Sequence, residues 1–267
     1  MTRWYESTDH MEDRAVRLQE RLGPEALARF SPLLDGFDAE ARFTELAQQY
    51  VRPDDVVVDI GTGDGEWLLT RVAPLARFAI GFDYAARRLW LALQRRRALG
   101  LTNAELLLAD GRRIPLRDAA ANAIINRRGP WTADETFFIE GCRVLAEDGL
   151  ALEITIGEQN ATQIEDVFGE RDQLREWVSR GFSRLEVLYD LYQRHGLEML
   201  VAESHVATEV FPSREALVYR LESAPIVVDF DAEADRPLVD QVIARYGGPD
   251  GIPLTMHRLC LVARKTA

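Results

Sequence analysis

The chain has 267 residues, 47% of them hydrophobic and 28% charged, which is ordinary for a soluble globular protein and enough for a core of normal size. Its formal net charge, 32 − 44 = −12, disfavours a general nucleic-acid binder, because neutralising phosphates takes concentrated positive charge. No apolar run approaches the roughly 20 residues that span a bilayer. The stretch Met-Thr-Arg-Trp-Tyr-Glu-Ser at residues 1–7 lacks the apolar segment of a signal peptide, so a cytoplasmic protein without membrane association is expected.

Residues 1–50 read as helical. Leu18, Leu22, Leu27 and Phe30 carry helical apolar spacing, broken by Gly23-Pro24. Phe43, Leu46, Ala47 and Tyr50 share one face of a predicted helix over Ala39–Tyr50, and Trp4 and Tyr5 suit a helical lid. Arg52-Pro53-Asp54-Asp55 is a turn. Strands are predicted at Val56–Ile60, Phe78–Phe82, Glu105–Leu108, Ala123–Asn126 and Leu150–Ile156, with helices over Glu66–Ala73, Ala85–Leu99 and Asp134–Leu145 between them. Short apolar strands alternating with helices predict a parallel sheet covered on both faces. Right-handed crossovers then align the strand C-terminal ends along one edge, where ligands bind. After Ile156 the rhythm changes. Gln163–Phe168, Leu174–Val178, Leu185–His195, Arg214–Leu221 and Pro237–Tyr246 read as helices, and residues 225–256 otherwise as loop. Glu198–Val210 and Leu259–Arg264 read as strands that form an antiparallel hairpin at the sheet edge. Cys142 and Cys260 lie far apart in apolar stretches with no metal-ligand spacing, so they read as small buried hydrophobes, and no metal site is expected. Lys265 is the only lysine.

The segment Val56-Val-Val-Asp-Ile-Gly-Thr-Gly-Asp-Gly-Glu-Trp67 carries most of the functional information. A β-branched run ends in Gly61, Gly63 and Gly65, then a helix begins: a turn stripped of side chains, against which a ligand can lie. Asp83 ends the next strand, 18 residues after Gly65. A glycine-rich turn followed by an acid at that distance also describes a dinucleotide site. The glycine spacing argues against it. The third glycine of G-x-G-x-x-G comes one residue early here, and Glu66 stands in its place, where a carboxylate would repel a pyrophosphate. Asp64 and Glu66 suit a ligand with an ammonium and a sulfonium instead.

Asp59-Ile-Gly-Thr-Gly-Asp-Gly65 resembles motif I of the class I S-adenosylmethionine-dependent methyltransferases. Ile80-Gly-Phe-Asp-Tyr84 resembles motif II, and residues 108–118 resemble the segment that holds the adenine. The resemblance covers roughly residues 55–156 and implies a Rossmann-like α/β fold. That fold is a doubly wound, mostly parallel seven-stranded sheet with an antiparallel last strand, plus N-terminal helices and a helical insertion. The domains it implies are residues 1–50 as a helical lid, 51–156 as the S-adenosylmethionine-binding core, and 157–267 as helical insertion, final strands and substrate-side cap. It implies S-adenosyl-L-methionine as cofactor. Gly61, Thr62, Gly63 and Gly65 would carry the methionine part. Asp59 would steady the loop or reach the ammonium through water. Asp83 would bind the ribose hydroxyls, Tyr84 would pack on the adenine, and Asp110 and Gly111 would contact its amine and ring. Asn126 is counted with these cofactor-binding residues. Asn122 stands where family members often carry Asp near the start of the fourth strand.

Arg127-Arg128-Gly129-Pro130-Trp131 lies where the methyl group should emerge, which makes Arg127, Arg128 and Trp131 the substrate-side candidates, the arginines for an anionic group. The consecutive prolines of amino-group methyltransferases are missing. His10, His195, His205 and His257 are isolated. His195 reads as a helix C-cap, and His205 and His257 as structural residues or general bases, leaving no catalytic residue assigned. The expected activity is methyl transfer to a small-molecule acceptor by in-line displacement. Alternatives are an RNA or protein methyltransferase, or a non-catalytic cofactor-binding module. A homo-oligomer is compatible with all three.

Overall fold

The protein is described from a computed structural model that covers residues 28–132, 134–171, 183–224 and 226–266. The lid residues Trp4 and Tyr5, the apolar positions Leu18, Leu22 and Leu27, and the helix expected over Leu174–Val178 lie outside the described residues. The strands are β1 (Leu33–Asp35), β2 (Val56–Ile60), β3 (Phe78–Asp83), β4 (Ala104–Leu108), β5 (Ala121–Arg127), β6 (Leu145–Ile156), β7 (Leu197–Phe211) and β8 (Ile252–Lys265). They form one eight-stranded sheet in the order β1-β7-β8-β6-β5-β2-β3-β4. Pairs β2–β3, β3–β4, β2–β5 and β5–β6 are parallel, whereas β6–β8 and β1–β7 are antiparallel. The chain runs outward from β2 to β4 and then crosses back to β5. The winding therefore reverses between β2 and β5, the position at which doubly wound sheets open a ligand crevice.

The residues divide into two compact units. One holds Ala39–Ile156, Leu185–Ser204 and the described residues from Arg258 onward. Here α1 (Ala39–Tyr50) buries Ala39, Phe43, Leu46 and Ala47, which are the apolar positions of its helical repeat. Trp67 stacks on Phe43 at 5.2 Å between ring centroids. The helices α2 (Ala86–Ala98) and α3 (Glu135–Val144) follow β3 and β5. Asp134 caps α3 by accepting from the Thr136 N–H. At the other end of α3, the Lys265 ammonium donates to the carbonyls of Cys142 and Leu145 at 2.7 and 2.8 Å, satisfying acceptors that the helix leaves open. Both cysteines are buried and free, and burial pushes each thiol up to about 12. The helix α5 (Arg184–Arg194) ends in a turn at Gly196, whose φ is +72°.

The other unit holds the described part of Met1–Asp38, Gly157–Arg184 and His205–His257. Its core is built by α4 (Thr162–Phe168), α6 (Arg214–Ser223) and α7 (Arg236–Tyr246), with Ile164, Phe168, Leu217, Leu221, Val239 and Val242 buried together. Ser213 caps α6. Arg171 fastens the loop before α7. It pairs with the buried Asp235 at 2.6 Å, holding that carboxyl below its ordinary value, and donates to the Val228 and Asp229 carbonyls.

Four elements differ from the sequence expectation. The short strand β1 makes the eighth strand. The last strand starts at Ile252, not Leu259, and lies beside β7 as expected, with β1 added outside the pair. Strand β6 starts at Leu145, with a register shift between Ala121 and Ala123 of its neighbour. The helix expected over Glu66–Ala73 is present but takes π geometry over Leu68–Val72, closed by Ala73 N–H to the Leu68 carbonyl at 2.8 Å. Among the described residues, no helix is long and apolar enough to cross a membrane.

Candidate functional site

The cofactor and substrate-side candidates belong to the unit that contains β2 to β6. At the end of β2 the backbone turns through Gly61, Gly63 and Gly65, with φ of +74°, +59° and +68°, a region that costs little only for glycine. The N–H groups of Gly61 and Thr62 both donate to the Phe82 carbonyl at 3.0 Å, locking the loop onto the end of β3. Gly65 is tight as well: a Cβ there would lie 2.8 Å from that of Ala92 in α2. Gly63 has more room, because a Cβ would meet only the Arg88 guanidinium, at 3.6 Å. The loop is thus a bare strip of main chain with a cation poised above it.

Asp83 is the keystone of this loop. It is 5% exposed, and its two oxygens accept from the Gly63 N–H at 2.7 Å and the Ala85 N–H at 2.9 Å. Burial raises its pKa, and those backbone bonds with the Arg88 charge oppose the rise. Asp59, 4% exposed one strand away, is pushed up to about 7 by burial, while the Thr62 hydroxyl and Arg127 pull it down. Asp64 pairs with Arg95 of α2 at 2.9 Å.

The expected adenine side is arranged differently. Asp110 accepts from the Arg112 N–H and takes a bidentate ion pair from its guanidinium, at 3.0 and 2.6 Å. That guanidinium also lies 5.9 Å from the Phe137 ring centroid. Gly111 is required by contact: a Cβ would lie 2.9 Å from the Phe137 ring. Tyr84 follows Asp83 and is half-buried.

Across the switch point, Pro130 packs on Gly61, where a Cβ would come within 2.9 Å of the proline Cδ. The segment after β5 therefore forms a wall of the glycine loop. Arg128 holds a left-handed φ of +57° in this segment. The Arg127 Nε reaches Glu40 Oε2 at 2.9 Å, and the Arg128 Nε reaches Glu40 Oε1 at 3.1 Å. Asn126 is fully buried and donates to Glu153 Oε1 at 2.9 Å. Glu153 also accepts from Thr132 at 2.6 Å and from Tyr192 at 2.8 Å. Burial and the Glu153 carboxylate drive the Tyr192 phenol well above its ordinary pKa. Trp131 is fully buried, stacked on Phe138 at 4.8 Å and edge-on to Tyr192.

The structure therefore brings together Asp59, Thr62, the three glycines, Asp83, Arg127 and Arg128 around the β2 and β5 strand ends. Asn126 and Trp131 are turned into the packed interior. In the other unit, His257 is 1% exposed and its Nδ1 accepts from the Gln159 N–H, fixing the turn at 157–160, while His205 stacks on Phe37 at 4.1 Å. His195 contacts Glu135 at 3.0 Å after α5. Sequence reasoning did not single out Glu40, Arg88, Arg112, Glu153 or Arg258. Glu153 carries a visible signal, a charge within the apolar stretch Leu150–Ile156, and so does Arg258, which precedes the apolar run Leu259–Ala263.

No family profile and no curated protein matches this sequence. Solved structures do match. One is a Bacillus halodurans C-125 protein assigned as a methyltransferase, with 17% identity over 85% of this chain and 98% of that one, and a TM-score of 0.61. Another is the cyclase SpnF, with 20% identity, coverage of 85% and 81%, and a TM-score of 0.56. A third is geranyl diphosphate C-methyltransferase from Streptomyces coelicolor A3(2), solved with geranyl diphosphate and S-adenosyl-L-homocysteine, with 17% identity, coverage of 85% and 81%, and a TM-score of 0.52. With its parallel strands wound outward from β2 and its antiparallel β8 set between β6 and β7, this chain has the Rossmann-like fold of the class I S-adenosylmethionine-dependent methyltransferases.

Proposed function

We propose that this protein binds S-adenosylmethionine on the Gly61–Gly65 loop and transfers its methyl group to a small-molecule acceptor. The observation that carries the reading is the junction of that loop with Asp83. Three left-handed glycines expose main chain at the switch point, and the carboxylate at the next strand end grips the Gly63 N–H. The donor set fits the group. A phosphate-free ligand with an amino-acid head meets bare backbone, the Arg88 guanidinium beside Gly63 suits a carboxylate, and Asp64, partly exposed in its pair with Arg95, suits an ammonium. Bound S-adenosylmethionine would supply an electrophilic methyl group for the acceptor nucleophile, with a neutral thioether as the leaving group. The chain's own part is alignment and exclusion of water. Pro130, packed on Gly61, ties the wall from β5 to the loop that carries the donor.

The fold by itself does not carry the chemistry, since one neighbour is a cyclase. The net charge of −12 supports a small acceptor over RNA. Calorimetric titration with S-adenosylhomocysteine tests the cofactor. Saturable binding that weakens at least about tenfold in Asp83→Ala, the loss of a charge-assisted pair of hydrogen bonds, supports it. Absence of binding by the wild type refutes it. Methyl-labelled cofactor with a fractionated cell extract tests the acceptor, which the reading places in the small-molecule fraction and not in RNA or protein.

A further inference from the structure

An arginine cluster stands at the end of β5 and on β8 where it pairs with the end of β6. Arg127 ends β5, Arg128 follows it, and Arg258 of β8 stands opposite Ile156, the last residue of β6. The parallel register of β5 and β6 puts these positions on the same edge of the sheet as the glycine loop. All three arginines point at one carboxylate, that of Glu40 in the first turn of α1. The Nε atoms of Arg127, Arg128 and Arg258 lie 2.9, 3.1 and 3.9 Å from its oxygens. The side chains of Glu40, Arg127 and Arg128 stay 26%, 30% and 35% exposed, while Arg258 is 2% exposed and forms the floor.

We propose that Arg127, Arg128 and Arg258 are a receptor for the carboxylate of an anionic acceptor, and that Glu40 is the internal carboxylate which this group displaces. The proposal rests on the methyl-transfer reading for its word acceptor, but the site itself does not. Three guanidinium groups, two from the end of β5 and one from the middle of β8, converge on one carboxylate, and guanidinium forks match carboxylate geometry. The buried floor fixes the position of one fork. The pairs of Arg127 and Arg128 with Glu40 are partly exposed, so an incoming anion can exchange with the Glu40 carboxylate. Arg128 holds a left-handed backbone here, with its Nε 3.1 Å from Glu40 Oε1. The cradle flanks Gly129 and Pro130, the residues packed on the loop, so an acceptor anchored by its carboxylate would lie beside the donor.

Malonate, with the uncharged malonamide as control, is the probe, measured by calorimetry at low ionic strength on the full chain. Saturable malonate binding without malonamide binding is expected. Glu40→Gln removes the competitor and should tighten malonate about fivefold, the worth of one partly exposed ion pair, whereas Arg127→Gln should weaken it by a similar factor. A malonate site lost in Glu40→Gln, or unchanged by it in a variant whose circular dichroism matches the wild type, would overturn the proposal. So would the absence of malonate binding in both wild type and Glu40→Gln. Malonate and S-adenosylhomocysteine should bind together. Mutual exclusion would hand the cradle to the cofactor's own carboxylate and likewise overturn it. Titration with S-adenosylhomocysteine alone reads the methyl-transfer proposal separately.

Discussion

Asp59 offers a prediction whose sign is fixed by where its proton goes. It lies one residue before the end of β2, 4% exposed, with its pKa raised from the ordinary 3.8 to about 7, mainly by burial and slightly by Asp83. Below about pH 4 the group is protonated in both the folded and the unfolded chain and contributes nothing. Between about pH 4 and 7 the unfolded chain releases the proton while the folded one retains it, so stability falls as pH rises. Above about 7 the loss is complete and levels off. The interval from 3.8 to about 7 corresponds, at about 1.4 kcal/mol for each tenfold step, to a loss of order 4 kcal/mol. Asp59→Asn keeps the shape and carries no charge, so it should escape this loss. Urea unfolding of both proteins at pH 4.5 and pH 8 isolates the effect, because the other titrating groups cancel in the difference. The variant should gain several kcal/mol over wild type between the two pH values. A difference independent of pH would show that Asp59 is ionised throughout, and the burial argument would fail.

Gly65→Ala should cost about 1–3 kcal/mol, read as a lower urea midpoint, because it places a side chain at positive φ and against Ala92. Tyr192→Phe removes a donor to the buried Glu153 and should destabilise by about 1–3 kcal/mol; an unchanged midpoint would mean that Glu153 does not depend on it. Arg112→Ala frees Asp110 from its guanidinium. S-adenosylhomocysteine should then bind about two- to fivefold more tightly, the worth of an exposed ion pair, and weaker binding would show that Arg112 itself holds the ligand.

The local parts of this architecture are legible in the chain. Val56–Ile60 announces a buried strand by its β-branched run, and the glycines after it announce the turn. The ends of the helices Glu135–Val144 and Arg214–Ser223 follow from Asp134 and Ser213 as caps. What is not legible depends on distant partners. Leu33–Asp35 is a strand only because residues 208–210 pair with it, and three residues are too few to show a period. Residues 252–256 alternate buried and half-buried as a strand should, but Pro253 and the nearby glycines mask the pattern. Within the site, the glycine loop and its acid are visible because they are a local motif. The ties of Arg127 and Arg128 to Glu40, 87 residues upstream in the first case, are not. Nor does any spacing tell that Asn126 turns inward to a carboxylate on the next strand, a choice made by the register of β5 on β6.

The position of Lys265 has a practical consequence for handling the protein. In a chain whose other basic side chains are all arginine, the one ε-amine is committed to the carbonyls at the end of α3, where a compact ammonium reaches two acceptors that a planar fork would straddle. Amine-selective reagents therefore find a single side-chain target, and acylating it would strip the C-cap from that helix. Surface immobilisation or fluorescent labelling through lysine would act as a structural mutation, and tagging chemistry for this protein belongs on other groups.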